Sequence, residues 1–216
     1  PETVFNTGAI GLDNIKKLQL LSKENFENSI GRKLLKKNFL ITFHPVTLEK
    51  QSAGEQFQQL LQALDKLEDT LLIFTKPNSD KGGRIIIQMI DEYVNQHPFK
   101  AIAFTSLGQV RYLSAVQYMN AVVGNSSSGI IEVPMFNVPT INIGDRQKGR
   151  IMGPTIINCQ PDEKDITTAI NKALAFDKTQ KWKHPYGNGD ASEKILEIIK
   201  KTEKIDLKKK FYDIDF

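Results

Sequence analysis

The sequence predicts an α/β protein built on a Rossmann-like, doubly wound parallel sheet. Strand-like and helix-like segments alternate along most of the 216 residues. The connections between them are short, and such alternation places parallel strands in one sheet with helices on both faces. Polar residues follow several of the predicted strands, where sheets of this class bind their ligands. Together these observations indicate a ligand crevice at the carboxyl edge of the sheet.

Short apolar runs rich in β-branched residues, each bounded by turn residues, predict buried strands. The predicted strands are 39–43, 71–75, 101–104, 121–123, 139–143 and 155–158. The first ends at His44-Pro45 and the second at Pro77-Asn78, since proline interrupts regular backbone hydrogen bonding.

Between the strands, apolar residues recur at the three- and four-residue spacing of an amphipathic helix. The predicted helices are 54–67, 83–94, 110–119, 127–136, 165–176 and 191–201. The fourth is expected to be short and to break near Pro134, which cannot donate an intrahelical hydrogen bond. The lead-in to the first strand, which contains Gly8 and Gly11, is expected to be irregular.

Composition excludes several classes of protein. With 40% hydrophobic and 25% charged residues the chain resembles ordinary globular proteins. Its apolar runs are far shorter than the ~20 residues of a membrane span. The segment that begins at Pro1 lacks the basic residues followed by an apolar run that are typical of a secretory signal. No G-x-G-x-x-G fingerprint is present, which argues against an NAD dehydrogenase. The lone Cys159 rules out an internal disulfide and favours a cytoplasmic location.

The net charge of +4 comes from lysine-rich pieces such as 33–37 and 208–210. These pieces are not interleaved with stacking aromatic residues, so solvated helix faces explain them better than a nucleic-acid surface does. The three histidines are scattered along the chain. No metal-ligand cluster is visible, and neither a metal nor another cofactor is expected.

The most informative stretch is 122–132. An apolar run ends at Gly124, small hydroxyl residues follow, and an apolar helical pattern begins. Such a connection leaves backbone N–H groups facing a crevice at the positive end of a helix dipole, an arrangement that binds phosphate. Asn125, Ser126 and Ser127 are also good N-cap residues, so an ordinary capped turn explains the stretch about equally well.

Three charged residues beside predicted strands or helices are candidates for chemistry. His44 and Arg146 each follow a strand and can stabilise a leaving diphosphate. His44 can do so with a hydrogen bond or a positive charge, and Arg146 with the paired N–H donors of its guanidinium group. Glu132 can accept hydrogen bonds from a ribose. Structural explanations stay open for each: a loop histidine beside proline, an Arg146–Asp145 ion pair, and stabilisation of the helix dipole by Glu132.

Three loops carry further candidates with structural alternatives. Asn78 lies in a Lys-Pro-Asn-Ser-Asp run, for which a turn is the default explanation. Ser106 and Leu107 lie in the loop after the third predicted strand. The stretch 187–190 has the glycines that permit close approach to a ligand, yet glycine-rich backbone and an aspartate cap explain it as well.

Taken together, these segments resemble the bacterial UDP-N-acetylglucosamine 2-epimerases, in particular the hydrolysing branch of sialic-acid-type sugar and capsule polysaccharide synthesis. The matching pieces, in the family's order, are GAIGLD at 8–13, TFHPVT at 42–47, PN at 77–78, GNSSSG at 124–129, Glu132, PTINIGDRQKGR at 139–150 and YGNG at 186–189. The combination of Asn-Ser-Ser-Ser-Gly with Asn-Ile-Gly-Asp-Arg-Gln is the specific part of the resemblance.

The resemblance implies a glycosyltransferase-B architecture, in which the active site lies between two Rossmann-like domains. This chain looks like the carboxyl-terminal half. On that basis 1–22 is a stub of the interdomain linker, 23–203 is the UDP-binding domain, and 204–216 is a tail that docks on an amino-terminal domain preceding Pro1. The full-length protein is expected to be a homo-oligomer that binds UDP and UDP-GlcNAc, and no partnership with nucleic acid or membrane is expected.

The resemblance also implies residue roles. The nucleotide-side residues are Asn78, Ser106, Leu107, Asn125, Ser126, Ser127, Gly129 and Glu132, of which Ser126 and Ser127 hold the diphosphate, Glu132 the ribose and the loop with Ser106 the uracil. His44 and Arg146 belong to the active-site side of the diphosphate. The family's acid and base carboxylates lie in the amino-terminal domain and have no match here, so this chain alone is expected to be inactive.

The implied reaction converts UDP-N-acetylglucosamine and water into N-acetylmannosamine and UDP through a glycal-like intermediate. A related hydrolysing epimerase of a UDP-linked 2,4-diacetamido-trideoxy sugar is an alternative, because the sugar-reading residues would lie mostly in the other domain. A glycosyltransferase of the same architecture is a second alternative, and a non-catalytic nucleotide-binding module is a third.

Overall fold

Six parallel strands form one sheet, as the sequence predicts. The computed structural model describes residues 4–46, 52–78, 82–180 and 182–202. The strands are β1 (Lys37–Thr42), β2 (Thr70–Thr75), β3 (Ala101–Phe104), β4 (Ala121–Gly124), β5 (Thr140–Ile143) and β6 (Ile156–Cys159). Across the sheet their order is β3-β2-β1-β4-β5-β6, and every neighbouring pair is parallel. This is the doubly wound order, in which the winding reverses between β1 and β4.

Helices cover both faces of this sheet. They are α1 (Gly11–Lys17), α2 (Lys23–Ile30), α3 (Ala53–Asp65), α4 (Gly83–Gln96), α5 (Gly108–Tyr118), α6 (Ser127–Ile131), α7 (Glu163–Leu174) and α8 (Ala191–Lys201), with a 3₁₀ turn at Val133–Phe136. Helices α3, α4 and α7 share one apolar core with the sheet, while α2, α5 and the 3₁₀ turn share the other. Strand β1 shows why: Phe39 and Ile41 enter the first core and Leu40 enters the second.

Most predicted bounds agree with the structure to within two residues. The predicted helix 127–136 is instead divided, because α6 ends at Ile131 and the 3₁₀ turn that contains Pro134 follows. This division matches the break expected near the proline. The tail 204–216, predicted to dock on another domain, lies outside the described residues.

The expectation of an irregular lead-in is wrong for residues 11–17, which form α1. Leu12 is fully buried, and the carboxylate of Asp13 accepts hydrogen bonds from the backbone N–H groups of Ala191 at 3.0 Å and Ser192 at 2.7 Å. Asp13 therefore caps α8 from the opposite end of the sequence. Hydrogen bonds from Ser192 hold the pKa of Asp13 below its ordinary value.

Helix α2 was likewise not predicted, although both of its ends carry sequence signals. The side chain of Ser22 accepts a hydrogen bond from the backbone of Asn25, and Gly31 ends the helix in the left-handed region at φ 66°. Its apolar residues Phe26 and Ile30 are buried against α5 and the sheet.

Within the described residues, no helix is long and apolar enough to cross a membrane.

Candidate functional site

The ends of β1 and β4 approach each other closely at the point where the strand order reverses. Gly124, the last residue of β4, has a φ of 141°, and a Cβ built on it would lie 1.9 Å from the backbone oxygen of Thr42. Only glycine fits there, because it alone has no Cβ. The glycine of the predicted phosphate loop is thus required by the sheet itself.

Asn125 joins the two strand ends. Its Oδ1 accepts a hydrogen bond from the backbone N–H of His44 at 2.8 Å, and its Nδ2 donates to the backbone oxygen of His44 at 2.8 Å. Its own backbone oxygen accepts from Arg146 Nη1 at 3.0 Å and from Gln147 Nε2 at 2.8 Å. The side chain is 1% exposed, so Asn125 lies behind the crevice wall rather than in the crevice.

The loop that follows is organised by hydroxyl groups. Ser126 is the N-cap of α6 and accepts a hydrogen bond from the backbone N–H of Ser128 at 3.4 Å, and the two side-chain oxygens are 3.1 Å apart. The hydroxyl of Tyr112 in α5 is 2.7 Å from Ser128 Oγ. Ser127 occupies the first position of α6 and is half-buried. The stretch is therefore a capped turn whose hydroxyl groups are fixed by a neighbouring helix.

This hydroxyl cluster continues to the carboxyl ends of β1 and β2. Tyr112 also hydrogen bonds with Thr42, whose Oγ1 is 2.7 Å from Oγ1 of Thr75. Burial raises the pKa of Tyr112 to about 12, so its phenol is neutral over the physiological range. Thr42, Thr75 and Tyr112 were not among the residues predicted for the site. Thr75 could have been found, because it is the last residue of both the predicted and the observed strand, whereas Thr42 precedes the predicted end of the first strand at residue 43.

A cleft of about 400 Å³ opens between these groups and the start of α5, with hydroxyl and carboxyl groups set among apolar surface. Its lining includes four of the predicted site residues, Ser106, Leu107, Ser126 and Glu132, together with Thr42 and Tyr112. Burial raises the pKa of Glu132 above its ordinary value. The cleft has the acceptors and hydroxyl donors that a polar, oxygen-rich ligand requires.

Other predicted residues lie around the cleft rather than in its lining. Gly129 packs against β5, since a Cβ there would lie 2.7 Å from Thr140 Cγ2. Asn78 is exposed beyond the end of β2, and its backbone oxygen contacts the start of α4. Asp145 pairs with Lys148 at 3.2 Å, so the structure does not show the Arg146–Asp145 pair considered as an alternative.

The glycine-rich stretch 187–190 contacts the lead-in of the chain. Gly187 lies against Gly8, and a Cβ on Gly189 would lie 2.8 Å from the backbone oxygen of Leu12. Its glycines are therefore explained by close packing on residues 8–12.

Over the residues that the structure describes, no group of three or more His, Cys, Asp or Glu side chains is placed to hold a metal ion.

The sheet order defines a Rossmann-like α/β domain, and a cleft lies at the carboxyl edge of its sheet where the order reverses. A family model described as UDP-N-acetylglucosamine 2-epimerase matches residues 1–200, and the chain belongs to this family.

Relatives of known name agree with this assignment. The chain is 41% identical over 162 residues to the GDP/UDP-N,N'-diacetylbacillosamine 2-epimerase (hydrolyzing) of Campylobacter jejuni, which covers 75% of this chain and 42% of that protein. It is 37% identical over 222 residues to the polysialic acid biosynthesis protein P7 of Escherichia coli, covering 99% of this chain and 56% of that protein. The chain thus spans about half the length of the curated relatives it matches.

A solved structure shows the same fold. The UDP-GlcNAc 2-epimerase of Neisseria meningitidis, solved bound to UDP-GlcNAc, matches with a TM-score of 0.72 at 17% sequence identity. The match covers 93% of this chain and 56% of that one. The predicted doubly wound α/β fold is confirmed.

Proposed function

We propose that this chain is the UDP-sugar-binding half of a hydrolysing UDP-N-acetylglucosamine 2-epimerase. The observation that carries the proposal is the cleft with its hydroxyl and carboxyl groups at the reversal of strand order, in a chain that belongs to the 2-epimerase family. In this proposal the chain is half of a glycosyltransferase-B architecture, and the whole protein is a cytoplasmic homo-oligomer.

Each group around the cleft has a part in the proposal. Ser126 and Ser127 hold the diphosphate at the start of α6, where donors meet the oxygens of an anion. Glu132 accepts hydrogen bonds from the ribose, and the loop of Ser106 and Leu107 receives the uracil. His44 and Arg146 stabilise the diphosphate as it leaves.

The proposed reaction removes the C2 proton of the sugar while the C1–oxygen bond breaks and its electron pair goes to UDP. A C1–C2 double bond forms in the glycal-like intermediate. Water then adds its hydroxyl to C1, while C2 is protonated from the opposite face. The products are N-acetylmannosamine and UDP. The proton transfers are assigned to the other half of the full-length protein.

Proton NMR of the full-length protein with UDP-GlcNAc in D₂O tests this proposal. We expect free N-acetylmannosamine carrying deuterium at C2, together with free UDP. Accumulation of UDP-N-acetylmannosamine would contradict hydrolysis. Sugar release that requires an added acceptor would identify a glycosyltransferase instead.

A second candidate substrate is UDP-N,N'-diacetylbacillosamine. The 41% identity to the Campylobacter jejuni enzyme named for that sugar favours it. The same NMR assay with both nucleotide sugars decides between them by the ratio of their kcat/KM values, because specificity is a difference in transition-state binding.

A further inference from the structure

The backbone of His44 is held on both sides by one buried side chain from the neighbouring strand end. The amide of Asn125 accepts from the His44 N–H and donates to the His44 oxygen, each at 2.8 Å. The following residue, Pro45, has no backbone N–H, so it cannot add a backbone hydrogen bond to hold this turn. Asn125 therefore contributes two hydrogen bonds to holding the backbone of His44 in place.

Asn125 has little capacity left for a ligand. Its backbone N–H donates to the oxygen of Thr42 at 3.2 Å, and its backbone oxygen accepts from Arg146 and Gln147. The residue is 1% exposed, and every polar atom it carries has a protein partner. Burial therefore separates Asn125 from the crevice, although one hydrogen of its Nδ2 is not used in these contacts.

The same residue touches both groups that are proposed to stabilise the leaving diphosphate. Its side chain holds the backbone of His44, and its backbone oxygen receives the guanidinium of Arg146 at 3.0 Å. We infer that Asn125 is a positioning residue that acts on catalysis through His44, and not the nucleotide-binding residue predicted from the sequence. This inference rests on the proposed role of His44.

The chain contains a matched control for this contact. Asn38, 5% exposed and near the opposite end of β1, accepts from the N–H of Leu35 and donates to the oxygen of Leu35, each at 2.9 Å. Asn38→Ala therefore removes the same pair of hydrogen bonds far from the cleft. It separates the effect of losing such a contact from the effect of misplacing His44.

The experiment compares Asn125→Ala, Asn125→Asp, Asn38→Ala, His44→Ala and the double variant Asn125→Ala/His44→Ala in the full-length protein. Displacing a catalytic group by about 1 Å reduces rates about 10²-fold, so we expect Asn125→Ala to lower kcat by about tenfold to 10²-fold. Asn125→Asp keeps the acceptor for the His44 N–H but places a buried carboxylate against the His44 carbonyl oxygen, so its loss should be at least as large. Asn38→Ala should keep kcat while losing thermal stability.

The double variant gives the decisive comparison, because residues that act as one unit are not additive. We expect Asn125→Ala to lower kcat no further once His44 is absent, and to change the Kd for UDP less than kcat. Fully additive losses, or a loss confined to UDP affinity, would overturn the inference and leave the proposed function intact. An unchanged kcat in His44→Ala would overturn both this inference and the proposed role of His44 in stabilising the leaving diphosphate.

A readout independent of activity completes the test. Hydrogen exchange at the His44 amide should accelerate in Asn125→Ala and stay unchanged in Asn38→Ala, even in a protein that turns over no UDP sugar. Retained protection in Asn125→Ala would show that the contact does not fix His44, and would overturn the inference whatever the enzyme's substrate is.

Discussion

The three consecutive serines at 126–128 have different roles. Ser126 caps α6, and Ser128 is held by Tyr112, whereas Ser127 makes neither contact. The sequence left open whether these residues are phosphate donors or only caps. The structure assigns the cap to Ser126, and Ser127 is therefore the better probe of ligand binding.

We predict that Ser127→Ala weakens UDP binding by about 1–3 kcal/mol, because a donor to an ionised oxygen is lost. It should barely change the thermal midpoint, since the cap remains. Ser126→Ala is the comparison, and should reduce folding stability by about 1 kcal/mol. Calorimetry with UDP and thermal denaturation measure both effects. Unchanged UDP affinity in Ser127→Ala would leave that residue with a structural role only.

His44 and Arg146 should contribute more to the transition state than to substrate binding, because the diphosphate gains charge as it leaves. In the full-length enzyme we predict that His44→Ala and Arg146→Ala each lower kcat by about 10²-fold or more. Arg146→Lys should recover only part of this, since an ammonium cannot reproduce the guanidinium fork. Steady-state kinetics on thermally intact variants test the prediction. A loss confined to KM would make both residues uniform binders.

Glu132 is predicted to lower the stability of the fold while contributing to recognition of the ribose. Burial raises the pKa of Glu132, because its environment disfavours the charged carboxylate relative to the neutral carboxyl group. We predict that Glu132→Gln raises the thermal midpoint at pH 7. The gain should decrease as the pH falls below the raised pKa and vanish below the ordinary pKa of glutamate, where the carboxyl group is neutral in both the folded and the unfolded protein. Thermal denaturation as a function of pH measures this.

The same variant should bind UDP more weakly, since a ribose hydroxyl loses its charged acceptor. Glu193→Gln, which alters an exposed acid in α8 outside the cleft, is the control and should not raise the midpoint. A midpoint lowered at pH 7 in Glu132→Gln would mean that the carboxylate stabilises the fold, contrary to the prediction.

At the scale of elements, the helices with strong hydrophobic periodicity were predictable, whereas the two short helices α1 and α2 were not. Helices α3, α4 and α7 carry a clear apolar face along three or more turns, which the sequence displays directly. Helix α1 has only seven residues, and its stability depends on burial of Leu12 and on contacts with a segment nearly 180 residues away in sequence. No local pattern encodes such a contact.

The junction between α1 and α8 gives a prediction of its own. We expect Asp13→Ala to accelerate hydrogen exchange at the amides of Ala191 and Ser192, because the carboxylate that accepts from both is lost. In the wild type the lowered pKa means that this stabilisation is present above the ordinary pKa of aspartate and is lost as the pH falls through the lowered value.

Asp162→Ala is the matched control, because Asp162 caps α7 locally through the N–H of Asp165. It should leave exchange at residues 191 and 192 unchanged. Equal acceleration in both variants would indicate a general loss of stability rather than loss of a specific cap.

At the scale of the whole molecule, the predicted sheet topology gave the position of the cleft more directly than any single motif did. The prediction of a parallel sheet located the crevice at the strand ends, and four predicted residues line the cleft there. Asn125 was predicted to bind the nucleotide, but its buried amide contacts backbone. Tyr112 was missed because it lies within a helix, and its contacts with Thr42 of β1 and Ser128 of α6 arise only when these elements pack together.

We predict that the 216-residue chain binds UDP but does not turn over UDP-GlcNAc. The groups proposed to bind the nucleotide lie in this chain, while the sequence offers no match for the family's proton-transfer carboxylates. Calorimetry with UDP and a coupled assay for released UDP test the two halves of the prediction. Robust turnover by the purified chain would show that the proton-transfer groups are present here after all.

The close approach at Gly124 has a consequence for how this sequence can vary. Every single-base change of a glycine codon that yields another amino acid adds a Cβ, and at position 124 that atom would meet the oxygen of Thr42 at 1.9 Å. Any single amino-acid replacement at this position therefore disrupts the sheet, whether or not the protein binds a ligand. A descendant that had lost all affinity for its ligand would still retain glycine there, so invariance at this position reports on strand geometry and not on selection for binding.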